Sequence, residues 1–296
     1  MSAVQALDIH GPLLACDEAG GDAGEAVLHP AQRLRSAVRV SGGVRTASIE
    51  CVAEEVPVAM VYNGISHAVM LATPADLEDF GTGFSLAEGI VARATEIHDI
   101  DTVAHANGIE VRLQVSNRAF EALKARRRSL AGRTGCGLCG VDSLGQVSRE
   151  VKPVTARPLV DEAAIHRAFV ALGEGQALHA LTGSVHAAAW AHADGTLFAV
   201  REDVGRHNAL DKLIGAVALA GLDTAQGFAV VTSRASYEMV LKLASVGGGL
   251  LAAISAPTGL AIDLAQRSGV TLCGFVRDGR MAIYTESRTC TASRTE

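Results

Sequence analysis

Cys136 and Cys139 stand three positions apart inside Gly132-Arg133-Thr134-Gly135-Cys136-Gly137-Leu138-Cys139-Gly140, a stretch with four glycines in nine residues. Backbone so rich in glycine is neither regular helix nor strand, and it lets another molecule approach the chain closely. The spacing serves three chemistries: a redox dithiol, half of a zinc site, or a thiolate that carries a sulfur atom as a persulfide. All three need deprotonated sulfur. Lys124-Ala125-Arg126-Arg127-Arg128 and Arg133 set positive charge beside the pair, which lowers a thiol pKa from its free value of about 8.5. The same run also reads as the solvated basic end of a helix, where cations are favoured.

Three other polar segments could do chemistry. In Arg201-Glu202-Asp203-Val204-Gly205-Arg206-His207-Asn208, Asp203 can cap or orient, Arg206 can bind an anion and His207 can move protons. A capped helix with a solvated first turn accounts for the segment equally well. In Thr232-Ser233-Arg234-Ala235-Ser236, the hydroxyls, Arg234 and the free amides of a helix start suit phosphate. Capping by Ser233 or Ser236 explains the serines alone, but not Arg234. Phe275-Val276-Arg277-Asp278-Gly279-Arg280 leaves a strand through a turn and brings two arginines to that edge, while Asp278-Gly279 is by itself a hairpin signal. His186 precedes the apolar run Ala187-Ala188-Ala189-Trp190 and reads first as structural. No HExxH or other helical metal spacing occurs, so no tightly bound metal is expected. Glycines 247 to 249 complete neither GxGxxG nor a Walker A pattern.

The elements that must position these residues divide the chain in four. Residues 1–34 read as a flexible tail, 35–130 as a small α+β domain, 131–150 as the CxxC loop and linker, and 151–296 as an α/β domain. From Ser36 to Val61 short β-type runs turn at Ser41-Gly42-Gly43, and Asn63-Gly64 marks a second hairpin. Thr73-Pro74-Ala75-Asp76 predicts a helix start capped by Thr73. Strands near Ile100 to Ala106 and Gly108 to Ser116 precede a helix from Arg118 to Arg128. Beyond a helix at Val160 to Gly173, strands and helices alternate. Strand Leu197 to Arg201 leads to helix Arg206 to Ala220, Phe228 to Thr232 to helix Ser236 to Val246, and Leu250 to Ser255 to helix Thr258 to Ser268. Val270 to Phe275 closes the series. Such alternation predicts a mostly parallel sheet covered on both faces, with ligands at the strand C-termini.

The 296 residues are 49% hydrophobic and 20% charged, a globular composition. The net charge of −6 gives no general basic balance for nucleic acid. Four of the six cysteines, Cys16, Cys51, Cys273 and Cys290, are scattered, unlike a disulfide framework, so a reducing compartment is expected. The first residues lack a secretory pattern, and no apolar stretch reaches the roughly 18 residues of a membrane span. The expected location is cytoplasmic.

Taken in order, RTGCGLCG at 133–140, TGSVHAAAW at 182–190, EDVGRHNALDKLIG at 202–215, SRASYEMVLK at 233–242, SAPTGLAIDLA at 255–265 and GFVRDGR at 274–280 resemble the FdhD family of formate dehydrogenase accessory sulfurtransferases. The resemblance covers nearly everything after the tail. It implies an activity: sulfur accepted from a cysteine desulfurase as a persulfide and passed to the molybdenum cofactor, bis(molybdopterin guanine dinucleotide), before that cofactor enters formate dehydrogenase. Cys136 would bear the persulfide, with Cys139 assisting. Phe275, Val276, Arg277, Asp278, Gly279 and Arg280 would form the cofactor-binding segment, joined by Arg234, Arg206 and His207. The implied second domain is similar to cytidine deaminase, a three-layer α/β/α arrangement, and homodimers are expected. Asp278 departs from the small residue common there, although a carboxylate suits the N1 and N2 donors of guanine.

Two rival readings differ in class. A zinc deaminase would need Pro-Cys-x-x-Cys and an upstream His-x-Glu or Cys-x-Glu, yet Gly135 precedes Cys136 and the only such triplet is Cys16-Asp17-Glu18. A non-enzymatic cofactor chaperone could instead pair two CxxC motifs around zinc between subunits.

Overall fold

The computed structural model describes residues 29–130, 151–155 and 158–286. Cys136, Cys139, Arg133 and Cys16 lie outside the described residues.

The first described elements are a hairpin of β1 (Gln32–Ser41) and β2 (Val44–Ala53) that turns on Gly42-Gly43, both at positive φ. Strand β1 begins four residues before the expected Ser36 and takes in the last residues of the segment read as a tail. A four-stranded sheet follows, in the order β4-β3-β6-β5. Its strands are β3 (Val56–Tyr62), β4 (Ile65–Ala72), β5 (Ile97–His105) and β6 (Gly108–Val115). Asn63-Gly64, at φ 45° and 82°, makes the expected tight hairpin. Helix α1 (Leu77–Ala87) and helix α2 (Asn117–Leu130) cover this sheet. Met60, Tyr62, Phe80, Leu113, Ala119 and Leu123 share its core.

The second half is a three-layer α/β/α sandwich. Its six strands run in the order β12-β11-β10-β9-β7-β8: β7 (His186–His192), β8 (Leu197–Asp203), β9 (Gly227–Val231), β10 (Leu250–Ala253), β11 (Thr271–Arg277) and β12 (Arg280–Thr285). Helix α3 (Glu162–Glu174) and the short α4 (Ala177–Thr182) precede β7. Helices α5 (Arg206–Leu219), α6 (Tyr237–Ser245) and α7 (Gly259–Ser268) lie between later strands. Period-two alternation sorts the strands cleanly. Ala187, Ala189, Phe228, Val230 and Ala252 pack with α3, whereas Ala188, Trp190, Ala229, Val231 and Leu251 pack with α5, α6 and α7. Both faces are apolar, as a sheet covered on two sides requires.

The sheet is mixed, which corrects the expectation of a mostly parallel one. Strands β9, β10 and β11 are parallel through crossovers α6 and α7, but β7 is antiparallel to both β8 and β9, and β12 to β11. Between β7 and β8 the chain turns at Asp194-Gly195, with Gly195 at φ 87°. A connection that short joins only antiparallel neighbours.

Helix α1 lies directly on α5. A Cβ on Gly83 would fall 1.7 Å from Asp211 O, and one on Gly215 only 1.9 Å from Asp79 O, so the two backbones touch where side chains would hold them apart. A buried polar knot closes the same contact. Lys212 Nζ lies 2.7 Å from Asp203 Oδ2, both side chains wholly buried, and donates to Thr73 O at 2.9 Å. The Thr73 amide donates to Asp203 Oδ2, and the Val204 amide to Thr73 Oγ1. Asn208 Nδ2 donates to Leu71 O and to Asp203 Oδ1. Thr73 therefore does not cap α1. That helix starts at Leu77, with Asp76 at the cap position in left-handed backbone and no side-chain cap. Farther along, Lys242 Nζ meets Asp211 Oδ2 at 2.9 Å and Glu88 Oε1 at 3.0 Å.

Removing one member of a buried ion pair leaves the other charge uncompensated and costs about 3–5 kcal/mol. Lys212→Met should lower unfolding stability by that order in denaturant titration; a variant as stable as wild type would show that the knot does not hold the two sheets together.

Candidate functional site

One end of the six-stranded sheet collects the polar loops. Strands β8, β9, β10 and β11 all finish there, at Asp203, Val231, Ala253 and Arg277, and antiparallel β7 starts there at His186, opposite Asp203. With strands about 4.8 Å apart, the four spacings from β11 to β8 make an edge of about 19 Å. Such an edge can track an elongated ligand, and its cations favour an anionic one.

At the β8 end, Arg206 opens α5 after Gly205, and no side chain caps that helix. The Nε of Arg206 is buried and has no hydrogen-bond partner among the described residues, an uncommon state for a donor. His207 turns across to α6: its Nε2 lies 3.1 Å from Glu238 Oε2 and 3.4 Å from Ser236 Oγ. Burial, with Arg206, Lys242 and His186 adding positive charge, pulls His207 down to about 4. The ring is therefore neutral near pH 7, and its contact with Glu238 is a hydrogen bond donated by Nε2–H. Nδ1 is left as an acceptor. Burial also lowers His186, helped by Arg206 and His179, and raises Glu238 against the opposing pull of Lys242.

In the middle of the edge, the two serines of the second segment do not cap α6. Ser236 occupies the cap position without a side-chain cap bond, whereas Thr258 does cap α7 through the Ala261 amide. The Ser233 hydroxyl instead donates to Arg234 O. Arg234 itself is exposed. At the far end, Asp278 and Gly279 have φ 51° and 68° and form the tight turn between β11 and β12, the plain hairpin reading of that dipeptide. Arg277 and Arg280 face each other across it, both exposed. Val276 points into the core, so only its backbone is available to a ligand.

The structure thus brings Arg206 and His207 together with Ser236 and Glu238, and it spreads Arg234, Arg277 and Arg280 along the same edge. Cys136 and Cys139 are not among the described residues. The sequence does not single out Glu238, since an acidic residue in the first turn of a helix is common. Only its place four residues before the buried Lys242, on a face that meets α5, distinguishes it.

The protein is a three-layer α/β protein, a class in which ligands bind outside the carboxyl ends of the strands, and here the loops at that edge carry Arg206, Arg234 and Arg277. The chain belongs to the FdhD/NarQ family, whose model matches residues 53–291 and so spans both cysteines of the CxxC. It is 60% identical over 233 residues to the sulfur carrier protein FdhD of Cupriavidus necator, covering 79% of this chain and 81% of that one. Over 237 residues it is 56% identical to the protein of that name from Chromobacterium violaceum, covering 79% and 88%. Among solved structures, that of a candidate formate dehydrogenase accessory protein from Desulfotalea psychrophila is similar with a TM-score of 0.70. The two are 25% identical, and the likeness covers 88% of this chain and 100% of that one.

Because His207 is held near 4, below the ordinary histidine value of about 6.5, the unfolded chain takes up its proton first as pH falls through that window. Stability conferred around this ring should then decline between those two values. His207→Gln should flatten that part of the acid unfolding profile, and an unchanged slope would mean that His207 titrates normally in the folded chain.

Proposed function

We propose that this protein is a sulfur carrier for formate dehydrogenase maturation: a sulfurtransferase that takes sulfur from a cysteine desulfurase and delivers it to bis(molybdopterin guanine dinucleotide)-bound molybdenum. The reading is supported by the shared family and the relatives' names, and above all by the buried, unpartnered Nε of Arg206 at an edge that also carries Arg234, Arg277 and Arg280. Four guanidinium groups along about 19 Å suit the separated diphosphates of a large dinucleotide substrate, since guanidinium matches phosphate oxygens in pairs. Arg206, His207 and Arg234 would hold one part of it, and the turn from Phe275 to Arg280 another.

Cys136 would act as the carrier. Its thiolate attacks the outer sulfur of the desulfurase persulfide, the donor's S–S bond breaks, and the donor cysteine leaves as thiolate. The sulfur on Cys136 is then at the sulfane level, and delivery as sulfide needs two electrons. Cys139 can supply them. Its thiolate attacks Sγ of Cys136, a disulfide forms between the two, and HS⁻ leaves to become the ligand of the metal. The four glycines that flank the pair in sequence would suit access by donor and acceptor in turn. The proposal includes a cytoplasmic homodimer. Among the described residues no helix is long and apolar enough to cross a membrane.

Incubation with a cysteine desulfurase and L-cysteine should add the mass of one sulfur atom to the peptide that contains Cys136. Cys136→Ser should gain none, and Cys139→Ser should gain the sulfur but fail to release it. Absence of the adduct from wild-type protein beside an active donor would overturn the carrier role. Stoichiometric zinc on both cysteines would favour the non-enzymatic chaperone.

A further inference from the structure

Strands β1 and β2 pair with each other and with no third strand among the described residues. Their register sets Ser36 opposite Ile49, Val38 opposite Ala47 and Val40 opposite Arg45, and directly opposed residues share a face. Val38, Val40 and Ile49 therefore lie on one face, where they are 53%, 59% and 66% exposed. The base of that face is occupied: Cys51 is buried, and Ala53 packs with Leu178 and Val185. Its outer half is open. A two-stranded ribbon is marginally stable alone, and an apolar face left in water marks an interaction surface.

The small sheet carries a second open face. Leu71 stands opposite Pro57 and Val69 opposite Ala59, on the side away from the core that holds Val58, Met60 and Met70. Val69 and Leu71 are 59% and 57% exposed. Each pair, Val38 with Val40 and Val69 with Leu71, is two positions apart along a strand, so both rows present two side chains about 7 Å apart. The charges beside the rows are opposite. Arg45, on the apolar face of the ribbon, has no acidic partner among the described residues. On the outer face of the small sheet, Asp99 and Asp101 stand opposite Gln114 and Arg112, and Arg112 is taken by Glu110 at 2.7 Å. Asp99 and Asp101 are exposed and without an ion pair among the described residues. Over the whole ribbon Arg33, Arg35, Arg39 and Arg45 stand against a single acid, Glu50, in a chain of net charge −6.

Both rows are exposed in the single chain, so the ribbon does not cover its own sheet. We propose that β1 and β2 form an arm that clasps a second copy of this chain, its apolar outer half lying on the partner subunit's Val69 and Leu71, with Arg45 toward the partner subunit's Asp99 and Asp101. A two-fold axis repeats the contact in reverse, so two copies cover all four open faces and the assembly closes. The arm rests on the homodimer of the reading above and gives that dimer its interface.

Ile49→Glu and Val69→Glu each put a charge into the contact, and both positions are exposed in the single chain, so each variant should keep the wild-type circular dichroism spectrum. Sedimentation of the full chain should find wild type dimeric and each variant monomeric, its dimer affinity lowered at least about a hundredfold by a charge buried without a partner. Mixing the two variants should restore a dimer, because the intact ribbon of the Val69→Glu chain then meets the intact sheet face of the Ile49→Glu chain. A dimer that survives either substitution would overturn the arm and leave the homodimer standing. Variants that stay monomeric on mixing would overturn the pairing of ribbon with sheet. Monomeric wild type would overturn arm and homodimer together, and retention of that monomer on RNA or anionic vesicles, lost in Ile49→Glu, would assign the ribbon to another occupant.

Discussion

The contact between Lys212 and Asp203 is the constraint from which the rest of the architecture follows. Two opposite charges with no exposed side-chain surface are tolerated only when every remaining lone pair and proton finds a partner. Here the partners come from distant parts of the chain: the carbonyl and amide of Thr73, the amide of Gly205 and the side chain of Asn208. Satisfying the pair therefore fixes the end of β4, the turn after β8 and the first turn of α5 at once. The small sheet cannot shift against the large one without stranding a buried charge.

That constraint explains why so polar a segment as 202–215 offers so few groups to a ligand. Asp203, Asn208, Asp211 and Lys212 all face inward, to the knot or to Lys242, and Gly215 lets α1 approach. Arg206 and His207 remain on the outer side of the same turn, positioned by residues that do no chemistry themselves. His207 then bridges to α6 through Glu238. One buried pair thereby sets the geometry of the β8 end of the edge, and the Asp278-Gly279 turn sets the other end.

Much of this was legible in the sequence. Gly42-Gly43, Asn63-Gly64 and Asp278-Gly279 each announced a hairpin through residues that accept positive φ, and the helices after β9 and β10 were visible from strand-to-helix alternation. Because those strands are parallel, placing their loops at one edge needed no coordinates. Asp194-Gly195 carries the same hairpin signal between β7 and β8, whose antiparallel pairing falls outside the strand-to-helix alternation. The role of Thr73 was hidden for a different reason. Its sequence neighbours suggest a cap, but its partners lie about 130 residues away, where spacing carries no information. Phe275 illustrates a third limit: a register shift between Gly274 and Arg277 turns it outward, at φ 54°, and no spacing in the sequence announces that shift.

The proposed sulfur role of Cys136 and Cys139 is tested most directly by a single-turnover chase with labelled sulfur. Protein charged with labelled persulfide is separated from the desulfurase and mixed with sulfur-free molybdenum cofactor. The account predicts that label leaves the protein only when cofactor is present, appears on the cofactor, and leaves Cys136 and Cys139 as a disulfide. Label that stays on the chain, or escapes as sulfide at the same rate without cofactor, would contradict it.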